Sequence, residues 1–377
     1  MTVMAGATIA PALPKIQASF QTTPNVEFWV RLLLTIPALF TAISAPIAGV
    51  TIDRFGRKPL LICSVLLYGL AGGSGLFLSE ISTLLAGRAL LGLAVGGIMT
   101  TATALIADYY QGQKRNQVMG VQAAFMGYGG VAFLLIGGVL ADMSWRYPFL
   151  IYLIAFTIAP IALFALTEPE LRSDTAKAAA KPNEKLPIVP LIAIYGLTFL
   201  SMVAFYMIPV QLPFYLQALG QTSGSLSGAA IAACTLASAV MSMRYRVVKN
   251  AFNFQGILVA VYLLMGIGYI GISLSGHYLL VVLSLLVAGA GLGLLMPNMN
   301  VWINAIVPPK FRGRALGGIT SAMFLGQFFS PILVQPLAAR ITLQAAYGAV
   351  GGMLWGLAIV IVFSAIINRT GLKASAK

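Results

Sequence analysis

Apolar residues run almost unbroken for about twenty positions at a time along this chain, with short polar punctuation between the runs. The runs fall at about residues 1–20, 28–50, 59–78, 83–106, 117–140, 147–166, 188–216, 224–243, 252–275, 278–305, 315–338 and 344–366. About 20 apolar residues of helix cross a hydrocarbon core of about 30 Å. Lipid offers no partner for a free backbone N–H or C=O, so each run predicts a helix. Pro37, Pro160, Pro209, Pro297 and Pro331 fall inside runs and predict kinks where the backbone faces protein or a cavity. The pattern predicts an all-α polytopic membrane protein with twelve transmembrane helices in two pseudo-symmetric bundles. The one long polar stretch, Thr167 to Pro187, parts the helices six and six. The expected organisation is an N-terminal six-helix bundle over 1–166, a linker over 167–187 and a C-terminal six-helix bundle over 188–377.

The first run breaks the rule. With Lys15 at the outer interface, only about 14 residues, or about 21 Å, are left to cross a core of about 30 Å. Matching Leu13-Pro14 to Leu212-Pro213 sets Met1 opposite the interior of the seventh run. The expectation is a first helix that lacks its cytoplasmic beginning in the chain as given.

Composition sharpens the class. The chain is 59% hydrophobic and only 8% charged, against about 25% charged in soluble domains, which excludes an ordinary two-domain soluble enzyme. The 23 Lys and Arg against 9 Asp and Glu give a net charge of +14. In a membrane chain this excess reports orientation rather than a nucleic-acid partner. Of the 23 cations, 18 lie in the linker, the C-terminus and the loops on the same side, and five lie elsewhere (Lys15, Arg31, Arg88, Arg146 and Arg340). The linker and the C-terminus are therefore expected in the cytoplasm. Cys63 and Cys234 sit in separate apolar runs and His277 is the one histidine, so neither a structural disulfide nor a metal site is expected, and no cofactor.

An internal repeat is legible. A shift of 197 positions superposes Gly92 on Gly289, Gly96 on Gly293, Met99 on Met296, Arg115 on Arg312, Gly120 on Gly317, Met126 on Met323 and Gly129 on Gly326. A parallel repeat places a pseudo-two-fold axis along the membrane normal and a substrate path between the halves.

The loop after the second run reads Gly49-Val-Thr-Ile-Asp53-Arg54-Phe-Gly56-Arg57-Lys58. A positive-inside turn would explain the cations but not an acid, a glycine one helical turn before it and a glycine three residues after it. Physically, Gly49 with Ala45 would let another helix approach closely, Asp53 would pair with a cation or a helix N-terminus, and Gly56 would permit a tight turn. The loop is similar to the signature loop of the major facilitator superfamily, with every specified position filled. That resemblance implies a cytoplasmic latch favouring one access state. The corresponding loop of the second half, Arg246-x-x-x-Asn250-Ala251, has an amide for the acid, so the latch is one-sided.

The fourth run carries Leu84-x-x-x-Arg88-x-x-x-Gly92-x-x-x-Gly96, which resembles a second motif of the family. An arginine inside an apolar run costs a few kcal/mol even on lenient scales, so Arg88 should face the interior with a partner. Snorkelling to the outer interface is the alternative. In the drug:proton antiporters that the chain resembles, the matching arginine is implicated in proton coupling, often with an acid on helix 1, where this sequence has Ala5. Gly127-Tyr-Gly129-Gly130 and Gly137-Gly138-Val-Leu-Ala-Asp142 partly resemble the helix 5 motif of those antiporters, with Phe133-Leu134 in place of Gly-Pro. The segments Trp145-Arg146-Tyr-Pro148-Phe149 and Pro308-Pro-Lys310-Phe-Arg312-Gly-Arg314 are also similar to family loops.

If helices 1, 4, 7 and 10 line the path, as the resemblance implies, the candidate cavity residues can be read by spacing. Phe199, Met202, Tyr206, Pro209 and Pro213 share one face of helix 7, as either a packing stripe or a binding surface. Met296, Asn300 and Asn304 share a face of helix 10, and the cost of amides in lipid places them inside. Gln122, Met126 and Gly130 on helix 5 mirror Ile319, Met323 and Gln327 on helix 11. Glu27 and Arg31 are i,i+4 on helix 2, which reads as a local interfacial pair; Arg31 is also, with Arg88, a candidate cation for proton coupling or substrate, and Glu27 a secondary proton-site candidate. Met and aromatic walls suit amphipathic substrates of varied shape.

The reading is a proton-coupled exporter of lipophilic drugs or metabolites in a bacterial inner membrane, working by alternating access. A proton-coupled importer of a small metabolite is the alternative. A membrane-embedded enzyme is disfavoured because one histidine and no paired intramembrane acids offer little chemistry. ATP-driven transport lacks its phosphate-binding loop. The partners expected are a small-molecule substrate, protons and the lipid bilayer, with no nucleic acid, and the chain is expected to act as a monomer. Asp53→Asn is expected to impair transport while leaving membrane insertion intact; vesicle flux equal to that of the unsubstituted protein would contradict this.

Overall fold

A computed structural model describes residue 6, residues 8–169 and residues 186–374. The start of the first run, with Ala5, and most of the polar linker lie outside the described residues, and so does the expectation of a shortened first helix.

Every described element is helical. A 3-10 turn at Ala10–Ala12 leads into α1 (Leu13–Ser19). There follow α2 (Val26–Phe55), α3 (Arg57–Gly73), α4 (Ile81–Tyr109) and α5 (Gly112–Met143). A 3-10 segment, Tyr147–Ile154, continues into α6 (Ala155–Ala165). Next come α7 (Ile188–Ala218), α8 (Gly224–Met243), a short helix at Tyr245–Ala251, α9 (Phe254–Leu274), α10 (Tyr278–Ile306), α11 (Arg312–Ile341) and α12 (Leu343–Ala374). Among the described residues, eleven helical segments are long and apolar enough to cross a membrane.

The polar punctuation sets the helix ends. Gly56, at φ +88°, breaks α2 from α3 in a conformation that L side chains rarely adopt. Asn253 caps α9 by accepting from the Gly256 N–H at 2.7 Å. The ring nitrogen of His277 accepts from the Leu279 N–H at 3.3 Å at the start of α10. The helices run through Pro37, Pro46, Pro160, Pro209, Pro213 and Pro297. Each such proline leaves the carbonyl four residues earlier without its usual donor.

The chain divides into two compact units. One comprises Met1–Lys185, Tyr195–Ala229 and Thr320–Leu333, the other Leu186–Ile194, Ala230–Ile319 and Val334–Lys377. In the first unit, α2 lies in a glycine groove of α4. A Cβ on Gly92 would overlap the Pro37 carbonyl, and one on Gly96 would overlap the Ser44 hydroxyl. Gly69, Gly72 and Gly75 receive the rings of Phe156, Tyr152 and Phe149.

The second unit repeats the device with its own helices. A Cβ on Gly289 would overlap the Cys234 carbonyl, and one on Gly293 the Ser238 carbonyl, which seats α8 in a groove of α10. Cys234 lies 197 positions after Pro37, so the register that pairs Gly92 with Gly289 also pairs what each glycine touches. The sequence repeat is a repeat of helix contacts.

The close approach expected at Gly49 is absent, since a Cβ there would meet nothing within 4 Å. The glycines that admit a neighbour to α2 belong to α4, because α2 makes its tight contacts between Pro37 and Ala45, above the loop.

Gly92→Leu and Gly289→Leu should each cost about 3 kcal/mol or more through overpacking against backbone. Gly120→Ala and Gly317→Ala, where a Cβ meets nothing, should leave stability unchanged or raise it by up to about 1 kcal/mol. Thermal unfolding in detergent checks both pairs.

Candidate functional site

Arg88 lies two turns into α4 and is 1% exposed. Its Nε donates to the Leu33 carbonyl at 3.1 Å and its Nη1 to the Tyr152 hydroxyl at 2.9 Å. The guanidinium carbon also lies 5.4 Å from the centre of the Tyr152 ring. The Leu33 carbonyl is available because the residue four positions on is Pro37, which has no N–H to give it. Tyr152 is itself fixed, its ring 5.5 Å from that of Tyr68 and set against Gly72. The Tyr206 hydroxyl of α7 approaches the neighbouring turn of α2, since a Cβ on Gly6 would meet it at 2.8 Å and the Leu34 carbonyl at 3.7 Å. Arg88 therefore occupies the interior of the first unit and does not snorkel.

Arg31 is a second interior cation that also keeps a long i,i+4 ion pair with Glu27. Its side chain is 7% exposed, whereas that of Glu27 is 62% exposed with the carboxylate 3.9 Å away. The closer contacts are neutral. Nε donates to the Gln211 Oε1 at 2.8 Å, Nη1 donates to the Glu27 backbone carbonyl at 2.7 Å, and the guanidinium lies 4.2 Å from the Phe214 ring centre. Two residues of α7, Gln211 and Phe214, cover Arg31, and i,i+4 spacing along α2 could not show them.

In the loop, Gly56 makes the expected turn, but Asp53 does not take the expected role. It is exposed on the last turn of α2 and, among the described residues, has no side-chain hydrogen bond or ion pair. The acid that serves the α3 N-terminus is Glu168, whose two oxygens accept from the Arg57 N–H at 2.6 Å and the Lys58 N–H at 2.8 Å. The chain returns to this loop after α6, and the Tyr109 hydroxyl donates to the Thr167 carbonyl beside it. The Arg57 side chain pairs with Asp108 of α4 at 2.9 Å. Arg54 is exposed and Lys58 half-buried.

The cavity candidates divide. Met202 is buried, while Tyr206, Gln122, Met126, Met323 and Gln327 are half-buried. The upper part of the α7 stripe is packing: Gly326 sits on the Phe199 backbone and Met202, the Phe199 and Phe329 rings lie 6.0 Å apart, and the Ser330 hydroxyl donates to the Val203 carbonyl at 2.8 Å.

In the second unit, Asn300 and Asn304 are exposed, with the Asn304 amide donating to the Asn300 carbonyl at 2.9 Å. The amide packed inside that unit is Asn298, which donates to the Phe254 carbonyl at 3.0 Å and accepts from the Tyr245 hydroxyl at 3.3 Å. Two positions along a helix turn a side chain by about 200°, so Asn298 and Asn300 face opposite ways.

A further cluster was not singled out from sequence. Asp142, at the end of α5, accepts from the backbone N–H groups of Gly224 at 2.6 Å and Ser225 at 2.9 Å, and from the hydroxyls of Ser223 and Ser225. These groups open α8, so a carboxylate sits at a helix N-terminus. Lys15 donates to the Ala141 and Asp142 carbonyls at 2.9 and 3.0 Å, a cation at the C-terminus of α5.

Comparisons with known proteins agree with this architecture. The profile of the Major Facilitator Superfamily matches residues 1–248 and 194–376. The multi-drug resistance efflux pump PmrA of Streptococcus pneumoniae is 24% identical over 362 residues, covering 93% of this chain and 88% of that protein. The class C tetracycline resistance protein of Escherichia coli is 32% identical over 148 residues, covering 38% of this chain and 36% of that protein. Among solved structures, a D-xylose-proton symporter superposes with a TM-score of 0.78 at 17% identity, covering 96% of this chain and 94% of the other. The chain belongs to the Major Facilitator Superfamily and is a multi-pass membrane transporter.

Proposed function

We propose that this protein is a secondary transporter that uses the proton gradient to export small amphipathic molecules across a bacterial inner membrane, by alternating access. Two six-helix halves, 1–166 and 188–377, do the work as one monomer, with the linker and the C-terminus in the cytoplasm. The observation that carries the reading is Arg88. An ionised guanidinium held within the hydrocarbon span costs at least about 2.5–3.5 kcal/mol, and the second unit packs the matching helix pair with Leu285, buried, at that position. The helix pair can thus be packed without a charge, so beyond satisfying the Leu33 carbonyl Arg88 is read as serving mechanism. Similarity to the PmrA efflux pump along most of both chains supports the export direction.

The Gly49 to Lys58 loop serves as a latch through Gly56, Arg57 and Lys58, whose helix N-terminus Glu168 holds. Tyr206, Met126 and Met323 of the first unit supply adaptable apolar contact for the substrate, and Gln122 and Gln327 supply polar contact there; Asn300 and Asn304 are the polar candidates of the second unit.

A compound-panel susceptibility and efflux screen, run with and without a proton uncoupler, tests direction and coupling together. Uncoupler-sensitive efflux is expected; uptake, or efflux indifferent to the uncoupler, would contradict the reading. In vesicles under an imposed pH gradient, Arg88→Ala should abolish proton-linked flux while Arg88→Lys keeps a measurable part of it; unchanged flux in Arg88→Ala would refute the assignment. Glu168→Gln should lower the transport rate several-fold at normal membrane yield, a larger loss than Asp53→Asn causes. Equal losses in the same vesicles would contradict the capping role.

A further inference from the structure

The nine acids of the chain avoid the middle of every span. Asp53, Asp108 and Asp142 lie in the last turns of α2, α4 and α5, Glu27 and Glu80 at helix starts, Glu168 beyond α6, and the other three in the linker. The first unit, by contrast, buries two guanidinium groups close together. Arg88 hydrogen-bonds the Leu33 carbonyl, and Leu33 is two residues beyond Arg31 on α2. Among the contacts that hold these cations are a phenol, a side-chain amide and two backbone carbonyls, and the carboxylate in ion-pair reach of Arg31, that of Glu27 at 3.9 Å, is largely in solvent. None of those neutral acceptors cancels a charge. Because no acid of the sequence falls in mid-span, the fixed charge that Arg31 and Arg88 bring to this part of the protein is positive, in surroundings of low dielectric where its field is poorly screened.

We propose that the transported substrate is an amphipathic organic anion, a carboxylate or similar weak acid with an aromatic or aliphatic body. It is held on α2, α4 and α7 of the first unit, beside Arg31 and Arg88. Its charge is stabilised by the two guanidinium groups, and its apolar body lies against Tyr206 and Phe214, the latter already stacked on Arg31. An organic cation of the same shape meets the same field with the wrong sign. This inference rests on the transport reading above and narrows it to one class of cargo.

The sign of the field can be read without flux. Purified protein in detergent is titrated with three probes of one shape, 2-naphthoate, 2-naphthamide and 2-naphthylmethylammonium, and binding is followed by intrinsic fluorescence. One guanidinium about 10 Å from the probe charge, at an effective dielectric of about 20, changes binding by about tenfold. Naphthoate is expected to bind at least about tenfold more tightly than the amide, and the ammonium probe most weakly. Arg31→Gln and Arg88→Gln should each lose most of that preference, whereas Arg31→Lys and Arg88→Lys should keep it, which separates charge from packing. Equal binding of the three probes, a preference for the ammonium, no saturable binding of naphthoate, or an unchanged preference in both Gln variants would overturn the proposal. Naphthoate binding that keeps its preference in a protein without proton-linked flux would leave this inference standing and remove the transport reading alone.

Discussion

One missing hydrogen organises the interior of the first unit. Pro37 cannot donate to the Leu33 carbonyl, and an unsatisfied carbonyl inside a membrane protein costs several kcal/mol. Arg88 supplies the donor. The exchange solves two problems together, because an intramembrane guanidinium needs acceptors as badly as the carbonyl needs a donor. Tyr152 takes a second N–H and offers its ring face, and the glycines at 72 and 75 let the 3-10 segment that carries Tyr152 lie close against the end of α3 and the turn after it. The second unit shows what happens without the proline. Cys234 stands at the Pro37 position and Leu285 at the Arg88 position, while Gly289 keeps the contact that Gly92 makes. The two changes go together, as they should if each residue exists to satisfy the other.

The ends of the helices follow a related logic. A carboxylate from a distant part of the chain holds the N-terminus of α3, through Glu168, and the N-terminus of α8, through Asp142. Backbone N–H groups at a helix start are unsatisfied by construction and carry partial positive charge. Each carboxylate that meets them joins segments about eighty to a hundred and ten residues apart. Such joints are made of charge-assisted hydrogen bonds, most of them at exposed positions where water can replace them.

Much of the fold was legible because lipid leaves the backbone few choices. Beyond the first run, stretches of about twenty apolar residues matched the helices to within about five positions, save at the end of α12, and the glycines repeated at 197 marked the paired grooves. Arg88 was legible as an interior group from its cost alone. Its partners were harder to see, although one had a signal: a mid-helix proline frees the carbonyl four residues before it, which names Leu33 as soon as Pro37 is seen. Tyr152, Gln211 and Phe214 gave no such sign, since aromatic and amide residues in apolar runs are common and only tertiary packing brings these to arginines. The same limit explains Glu168, which reads as one more linker charge until the chain folds back, and Asn298, whose neighbours in sequence suggested the opposite face of α10.

The central claim is that Arg88 and Pro37 satisfy one another through the Leu33 carbonyl, and a double-mutant cycle on thermal stability in detergent tests it most directly. Arg88→Leu alone strands that carbonyl and the Tyr152 hydroxyl, and should destabilise the protein by about 3 kcal/mol. Adding Pro37→Ala gives the carbonyl a donor within its own helix, so the double variant should recover at least about 1 kcal/mol of that loss. Losses that simply add, with the double variant no more stable than Arg88→Leu, would contradict the account.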